Sequence, residues 1–346
     1  MSLLRRLPWA QVLIITTLSA CSAETDTLMF TGFTMGTGYS VRIVRPADSP
    51  PLDPLAARIA GRLEALDAQF STYRESSEIS RFNAHPGEGW FAISADSMNL
   101  LKSGLAIGEL SDGAFDVTVG PLVELWGFGA SSSSEVVPPR ADIDALLEST
   151  GLEHLEVRTS PPAVRRTRAG VRLDLSAIAK GFAVDEIWAM LGSAGLSAYM
   201  VEVGGEVRTR GMRADGGDWM IGVENPLIDT SGSAPAPIQD VIALRDRAIA
   251  TSGDYRNYFE HGGQRYSHTL DPRTGWPVSN GVAAVTVISQ RAADADAFAT
   301  ALMVLGPDLG LQLSERENIA AQLVLRTDTG VEVVRTPAYE AYLDAH

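Results

Sequence analysis

Two oxygen-bearing side chains one helical turn apart are the first candidates for chemistry. Asp296 and Thr300 lie at positions i and i+4 of a segment with helical periodicity from about Ala292, so a carboxylate and a hydroxyl share one face. Mg²⁺ accepts one or two protein carboxylates and otherwise keeps water or phosphate oxygens. The pair therefore suits a magnesium site completed by a diphosphate. A helix-capping Asp296 and a core-packing Thr300 would leave the same pattern.

Two further side chains have the chemistry to act on a phosphate. Lys180 is one of only two lysines in the chain. It lies near the start of a predicted helix, where backbone N–H groups and the helix dipole already favour anions. His268 precedes the turn-forming segment Asp271–Gly275, and an imidazole can exchange a proton near neutral pH or donate a hydrogen bond to phosphate. A solvated surface lysine and a structural histidine are the alternatives.

Apolar periodicity predicts the elements that must position these residues. Besides the helix from about Ala292, helices are predicted at about Pro54–Phe70, about Asp96–Leu110, and from Ile178 to near Gly195. Strands are predicted at Val171–Leu175, Tyr199–Val203, Trp219–Val223, Val241–Leu244, Val282–Ile288 and Ala320–Leu325. Loops are predicted in two stretches rich in small residues and proline, Gly129–Arg140 and Asp229–Asp240. Because this mixture is not a regular βαβ series, we expect an α+β fold, one body with two lobes.

Composition excludes several classes of protein. The 346 residues carry a formal net charge of −15, which argues against nucleic-acid binding. Hydrophobic residues at 45% and charged residues at 21% are globular values, so the chain is not disordered. The sequence signals of Rossmann, P-loop, α/β-hydrolase and zincin proteins are absent. The single cysteine, Cys21, excludes an intramolecular disulfide and a thiolate zinc site.

The first residues resemble a bacterial lipoprotein signal. Arg5 and Arg6 precede an apolar run that ends in Leu18-Ser19-Ala20-Cys21 and is shorter than the ~20 residues of a membrane-spanning helix. We predict a signal peptide over residues 1–20 and a mature domain over 21–346 that is lipidated at Cys21 and faces the periplasm. By resemblance to known sorting patterns, Ser22 favours the outer membrane, with the inner membrane open. An ordinary secretory signal or a short uncleaved anchor are the alternatives.

Eight blocks of residues follow one another in a definite order. They are Met35–Thr37, Ser71–Tyr73 with Ser77–Asn83, Gly113–Leu122 with Leu125–Gly129, Asp174–Asp185, Val203–Glu206, Thr251–Tyr255, Ser267–Gly275 and Asp294–Ala301. Behind a lipoprotein-like leader, this order resembles the ApbE family of FAD:protein FMN transferases, from Met35 to about Leu305. The resemblance implies an α+β fold that holds flavin in a cleft between two lobes.

The resemblance also implies roles for individual residues. It assigns Mg²⁺ to Asp296, Thr300 and the backbone carbonyl of Ala179. It assigns contacts with FAD to Met35, Tyr73, Ala114, Phe115, Asp116, Lys180 and His268. Phe115 and Trp126 can equally be core residues, and core is the expectation for Trp126. Phe182 stands where a tyrosine is common in the family, which affects only a hydroxyl contact.

The implied reaction is a phosphoryl transfer. A Thr or Ser hydroxyl of an acceptor protein attacks the FMN-side phosphorus of FAD, and AMP leaves. His268 is the first candidate for a general base and Asp271 the second. The implied acceptors are exported flavoprotein subunits of redox complexes such as the sodium-pumping NADH:quinone oxidoreductase or the Rnf complex. Two other functions fit the same residues: a periplasmic FAD pyrophosphatase that gives FMN and AMP, and a non-catalytic flavin-binding lipoprotein.

Overall fold

The structure is a computed structural model that describes residues 25–46, 53–130, 136–226, 237–255, 257–327 and 330–343. The predicted signal peptide and Cys21 lie outside these described residues. Helices are present at Asp53–Phe70 (α1), Glu78–Ala84 (α2), Ala95–Leu110 (α3), Gly120–Leu125 (α4), Arg140–Leu147 (α5), Ser176–Ser193 (α6), Ala292–Arg316 (α7) and Pro337–Glu340 (α8).

The described residues also form seventeen strands, ten of which follow one another between α6 and α7. In chain order they are Thr25–Thr34 (β1), Thr37–Pro46 (β2), Phe91–Ala92 (β3), Leu155–Thr159 (β4), Pro162–Arg166 (β5), Tyr199–Val203 (β6), Glu206–Arg210 (β7), Trp219–Glu224 (β8), Ile238–Leu244 (β9), Ala248–Gly253 (β10), Tyr258–His261 (β11), Gln264–Ser267 (β12), Leu270–Asp271 (β13), Trp276–Pro277 (β14), Val282–Ser289 (β15), Ala320–Thr327 (β16) and Gly330–Arg335 (β17).

An eight-stranded sheet forms the centre of the fold. Its order is β1-β2-β6-β7-β10-β15-β16-β17, and each neighbouring pair is antiparallel. The helices α6 and α7 pack on one face. The β8–β9 ribbon and α8 cover the other face around Trp219, Ile242 and Tyr339. Because both faces are covered, β15 is buried along nearly its whole length and has an almost uninterrupted apolar sequence.

The helices α6 and α7 form the core layer that carries the candidate site. Buried residues surround α6 on most sides, as expected for a helix enclosed between the sheet and α1. By length and composition α7 is apolar enough to cross a membrane, but 56% of its most apolar window is buried inside the protein. This burial marks α7 as a core helix. Gly306, at φ 76°, interrupts it just before Pro307.

A second apolar cluster forms what we call the smaller lobe, defined by Leu122, Trp126, Ile143, Phe259, Tyr266 and Leu270. Trp126 is fully buried there, as predicted. Its indole N–H donates to the carbonyl of Gly275 at 2.8 Å, and its ring stacks on Tyr266 with centroids 5.5 Å apart. The predicted α+β class, with a sheet body and a smaller lobe, is confirmed.

Most of the predicted elements are confirmed, and two need correction. Val171–Leu175 is not a strand. It makes only an isolated bridge at Arg172, because the Asn83 side-chain amide binds both the N–H and the carbonyl of Leu173, at 2.7 and 2.8 Å. Most of the predicted loop Asp229–Asp240 lies outside the described residues, and its last residues are a strand instead, since β9 begins at Ile238 and pairs with β8.

Candidate functional site

A cleft of about 1010 Å³ opens between the sheet body and the smaller lobe. The sheet body contributes the β1–β2 turn, the start of α6, the β6–β7 turn and one face of α7. The smaller lobe and its connections contribute Ala114–Asp116, Phe128, Asn257 and His268. Residues distant in the sequence therefore face one space large enough for a dinucleotide.

The helix α7 presents Asp296 and Thr300 to this cleft, one turn apart. The Asp296 carboxylate is 4% exposed and accepts a hydrogen bond from the backbone N–H of Gly181 at 3.0 Å. The Thr300 hydroxyl bonds the Ser252 hydroxyl at 3.1 Å. Ala179 lines the same cleft. Asp296 does not cap α7, whose N-cap residue is Arg291, so the capping alternative is wrong.

Lys180 lies between two buried carboxylates. Its Nζ atom is 3.3 Å from Oε1 of Glu206 and 3.8 Å from Oδ1 of Asp296. Burial lowers the pKa of Lys180, but the negative charges of Asp296 and Glu206 outweigh that effect, so its pKa lies above the usual value and the ammonium stays charged. Burial raises the pKa of both carboxyls. Two acids thus share one base in a poorly solvated site.

The sequence does not single out Glu206 as a functional residue, although it lies in the Val203–Glu206 block. It is 3% exposed, lines the cleft, and its Oε2 atom has no hydrogen-bond partner. It follows Gly204, whose φ of +64° forms the β6–β7 turn and brings the backbone close to Lys180. The sequence does carry one signal for this residue: an acid directly follows a pair of glycines that can form a tight turn between two strands.

These residues fit a divalent cation. Two carboxyl groups lie beside the single ammonium of Lys180, so a bound cation would stabilise their ionised forms, and the donors at Asp296, Thr300 and Ala179 are all oxygens. Among the described residues, no group of three or more His, Cys, Asp or Glu side chains is arranged to hold a metal. A carboxylate, a hydroxyl and a backbone carbonyl are ligands that suit an ion such as Mg²⁺, which keeps water or phosphate oxygens as its remaining ligands.

Among the described residues, only one ring nitrogen of His268 has a hydrogen-bond partner. Its Nδ1 atom is 3.0 Å from the carbonyl oxygen of Asn257. A carbonyl only accepts, so Nδ1 carries the hydrogen and Nε2 of the neutral ring is the proton acceptor. The Phe128 ring packs edge-on against the imidazole, with centroids 6.3 Å apart. Burial lowers the pKa of His268, which favours the neutral form at physiological pH.

Asp271, the second base candidate, is not brought into the cleft. Its carboxylate forms a two-point ion pair with the Arg273 guanidinium at 2.8 and 2.9 Å and also accepts from the Arg273 backbone N–H. It faces a separate, smaller pocket beside Trp276. Its oxygens are occupied in shaping the turn after His268, whereas His268 itself lines the cleft.

The β1–β2 turn and Tyr73 lie where a flat ring can bind. Met35 and Gly36 both have positive φ, 48° and 73°, in a two-residue hairpin turn that lines the cleft. Such a conformation is strained for methionine, and strain of this kind concentrates at binding sites. Tyr73 is 69% exposed, and its hydroxyl is 3.4 Å from the Phe128 carbonyl. An exposed aromatic at a cleft wall is suited to stacking on a ligand ring.

The segment Ala114–Asp116 also lines the cleft. Phe115 is 3% exposed and also belongs to the apolar core. The Asp116 carboxylate accepts from the backbone N–H and hydroxyl of Thr118 at 2.7 and 2.6 Å. Burial raises the pKa of Asp116 in spite of these bonds. The local turn fixes the backbone of this segment at the cleft wall.

The fold and cleft define a two-lobed α+β protein whose site is suited to a diphosphate beside a cation. A profile of the ApbE family matches residues 35–323. The chain is 39% identical to the FAD:protein FMN transferase of Vibrio cholerae serotype O1 over 326 residues, 94% of this chain and 96% of that protein. It is 34% identical to that of Escherichia coli K12 over 321 residues, 92% and 90% of the two chains.

Solved structures agree with these sequence comparisons. The flavin transferase ApbE from Vibrio cholerae superposes with a TM-score of 0.84 at 38% identity, over 92% of this chain and 100% of that one. The apo form of the Pseudomonas stutzeri flavinyl transferase ApbE superposes with a TM-score of 0.84 at 40% identity, over 93% and 98%. The chain belongs to the ApbE family.

Proposed function

We propose that this protein transfers the FMN half of FAD to a side-chain hydroxyl of an acceptor protein. Relatives named FAD:protein FMN transferase match it over nearly their full length. The observation that carries the proposal is that one cleft brings together Lys180, the Asp296–Thr300 pair and the imidazole of His268, whose Nε2 has no hydrogen-bond partner in the part of the chain that the structure describes. An anion-binding group, a cation site and a base are the parts that a phosphoryl transfer needs.

The reaction forms one P–O bond and breaks another. The acceptor hydroxyl oxygen attacks the FMN-side phosphorus, and AMP leaves with the oxygen that bridged the two phosphorus atoms. Nε2 of His268 accepts the hydroxyl proton, since Nδ1 is already bonded to the Asn257 carbonyl. The Lys180 ammonium offsets charge on the diphosphate. The product is an FMN phosphoester on the acceptor.

We assign the cation site to Asp296, Thr300 and the carbonyl of Ala179. Bound Mg²⁺ would neutralise and polarise phosphoryl oxygens. The chain's own contribution is placement: the Gly181 N–H holds Oδ2 of Asp296 at 3.0 Å, and Ser252 holds the Thr300 hydroxyl at 3.1 Å. Both oxygens are thereby oriented before any ligand enters.

An assay with three outcomes tests the proposal. The protein is incubated with FAD, MgCl₂ and an exported flavoprotein domain that carries a reactive Thr, and the intact mass of the domain and the free nucleotides are measured. We expect the domain to gain one FMN per AMP released. A matched domain with Val in place of that Thr gains nothing. Free FMN and AMP with an unmodified acceptor would instead make the protein a FAD pyrophosphatase, and no turnover would leave a flavin-binding lipoprotein.

We also propose that the protein is tethered to a membrane of the bacterial cell envelope and faces the periplasm. Support comes from the sequence leading into Cys21 alone, and exported flavoprotein subunits of redox complexes are the acceptors that such a location would supply. Palmitate labelling and fractionation test this. Wild type should carry label and sediment with membranes, whereas Cys21→Ser should be unlabelled. An unlabelled wild-type protein would contradict the tether.

A further inference from the structure

The start of α7 is capped by a side chain from another helix. The carboxylate of Asp185, on α6, accepts from the backbone N–H of Ala292 at 2.9 Å and from that of Ala293 at 3.1 Å. The N-cap residue Arg291 makes no capping hydrogen bond with its own side chain. The first N–H groups of a helix lack internal partners and carry partial positive charge, so a carboxylate there satisfies both needs.

A second contact lies one turn away and leads directly to the candidate cation site. Gly181, one turn before Asp185 on α6, donates its N–H to Asp296, one turn after Ala292 on α7. The two helices therefore run antiparallel and are joined at two points. A Cβ on Gly181 would overlap the carbonyl of Ala292, so only glycine permits this approach.

Asp185 is itself held in place. It is 7% exposed, and Nη1 of Arg208 on β7 lies 2.7 Å from Oδ1. The Arg208 guanidinium in turn lies 3.7 Å from the centre of the Trp188 ring. Asp185 does not line the cleft. Arg208 and, with its Nε atom 3.7 Å from Oδ2, Arg291 provide positive charge beside this carboxylate. Its remaining hydrogen bonds go to the first N–H groups of α7, the helix that carries Asp296.

We propose that Asp185 is a positioning residue for the cation site. It sets the placement of α7 against α6, and thus of Asp296 and Thr300 against the carbonyl of Ala179. This inference rests on the proposed function, because the cation site is part of it. The property that Asp185 is inferred to affect is the affinity of the protein for the cation. Replacing a residue that orients the metal ligands without binding the metal itself typically weakens metal affinity 10-fold or more.

The test measures Mg²⁺ binding directly. Calorimetric titration of MgCl₂ into protein saturated with FAD is compared for wild type, Asp185→Asn and Asp185→Glu. The amide can accept from only one of the two N–H groups, and the longer Glu side chain keeps the charge beside Arg208 but displaces the cap. The matched control is Asp240→Asn, on β9, which removes the charge of a largely buried carboxylate whose two oxygens both accept from Nη2 of Arg335.

We expect both Asp185 variants to bind Mg²⁺ about tenfold more weakly than wild type, and Asp240→Asn to bind it normally even though its unfolding temperature falls. Transfer by the Asp185 variants should recover at high MgCl₂, a shift in half-saturation rather than in maximal rate. Unchanged Mg²⁺ affinity with a lowered unfolding temperature would overturn the inference. Because the titration needs no acceptor, a wild-type protein that binds Mg²⁺ but transfers no FMN would refute the function and not this role.

Discussion

Asp296→Asn should separate activity from stability. The amide oxygen can still accept from the Gly181 N–H, and Lys180 keeps Glu206 at 3.3 Å. What is lost is the negative charge, which is the property that a cation site requires. We therefore expect transfer to fall by about 10³-fold, because charge stabilisation by a catalytic metal is worth several kcal/mol, and about 4 kcal/mol corresponds to three powers of ten.

The expected effect on stability is small because two terms oppose each other. At 3.8 Å and an effective dielectric constant of about 20, the attraction between Lys180 and Asp296 is ~4 kcal/mol. Desolvation of a buried carboxylate costs several kcal/mol. The effect of burial exceeds that of the attraction to Lys180, since the pKa of Asp296 lies above its unfolded value. We expect the free energy of unfolding to stay within about 1 kcal/mol of wild type at pH 7.

The pH dependence of stability gives an independent check that the pKa of Asp296 is raised in the folded protein. A folded pKa above the unfolded value means that the folded protein binds this proton more tightly. Its contribution is therefore fully present below the unfolded pKa and is lost as pH rises through the folded pKa. Asp296→Asn removes that loss, so its stability relative to wild type should improve from pH 4 to pH 8.

The assay pairs transfer rates at saturating MgCl₂ with thermal unfolding in EDTA across this pH range. A variant that transfers FMN at the wild-type rate would refute the assigned cation site. A variant that loses several kcal/mol of stability along with activity would refute the energetic argument, because Asp296 would then be a structural residue.

Three further predictions concern other parts of the cleft. Because burial lowers the pKa of His268 below 6.5, kcat/KM should be constant near pH 7 and fall only at more acidic pH, where the imidazole is protonated. His268→Ala should lose this acidic fall in kcat/KM, and the same pH profile in both proteins would exclude His268 as the base. Tyr73→Ala should raise the KM for FAD about 3- to 10-fold, as expected for the loss of one aromatic contact. The unfolding temperature of the apo protein should not change, since Tyr73 is 69% exposed. An unchanged KM would show that Tyr73 does not contact the flavin. Gly181→Ala should lower the free energy of unfolding by about 1–3 kcal/mol and raise the MgCl₂ requirement, because its Cβ overlaps α7; chemical unfolding and MgCl₂ titration test both effects, and a neutral outcome would contradict the close helix contact.

The local part of the site could be predicted from the sequence. Asp296 and Thr300 share a face because helical periodicity is a property of neighbouring residues, and α7 begins at Ala292 as expected. Lys180 stands near the start of α6 for the same reason. What local pattern could not reveal is that Lys180 and Asp296, on two different helices, lie 3.8 Å apart.

The parts that depend on distant contacts escaped prediction. Glu206 was not assigned a role because only the fold buries it beside Lys180, and Asp185 appears as an ordinary polar residue until α7 is placed against α6. Residues 171–175 have the apolar pattern of a strand, but Asn83, 90 positions away from Leu173, takes its backbone hydrogen bonds. A side chain that substitutes for a neighbouring strand leaves no periodic signal.

The most direct test of the account is a crystal structure of the protein with FAD and Mn²⁺. The position of the Mn²⁺ ion can be located by its anomalous scattering. We predict one strong anomalous peak between the diphosphate and the side chains of Asp296 and Thr300, with the diphosphate beside Lys180 and the FMN-side phosphorus open towards Nε2 of His268. A dinucleotide bound with its diphosphate away from α7, or no peak at that position, would contradict the account.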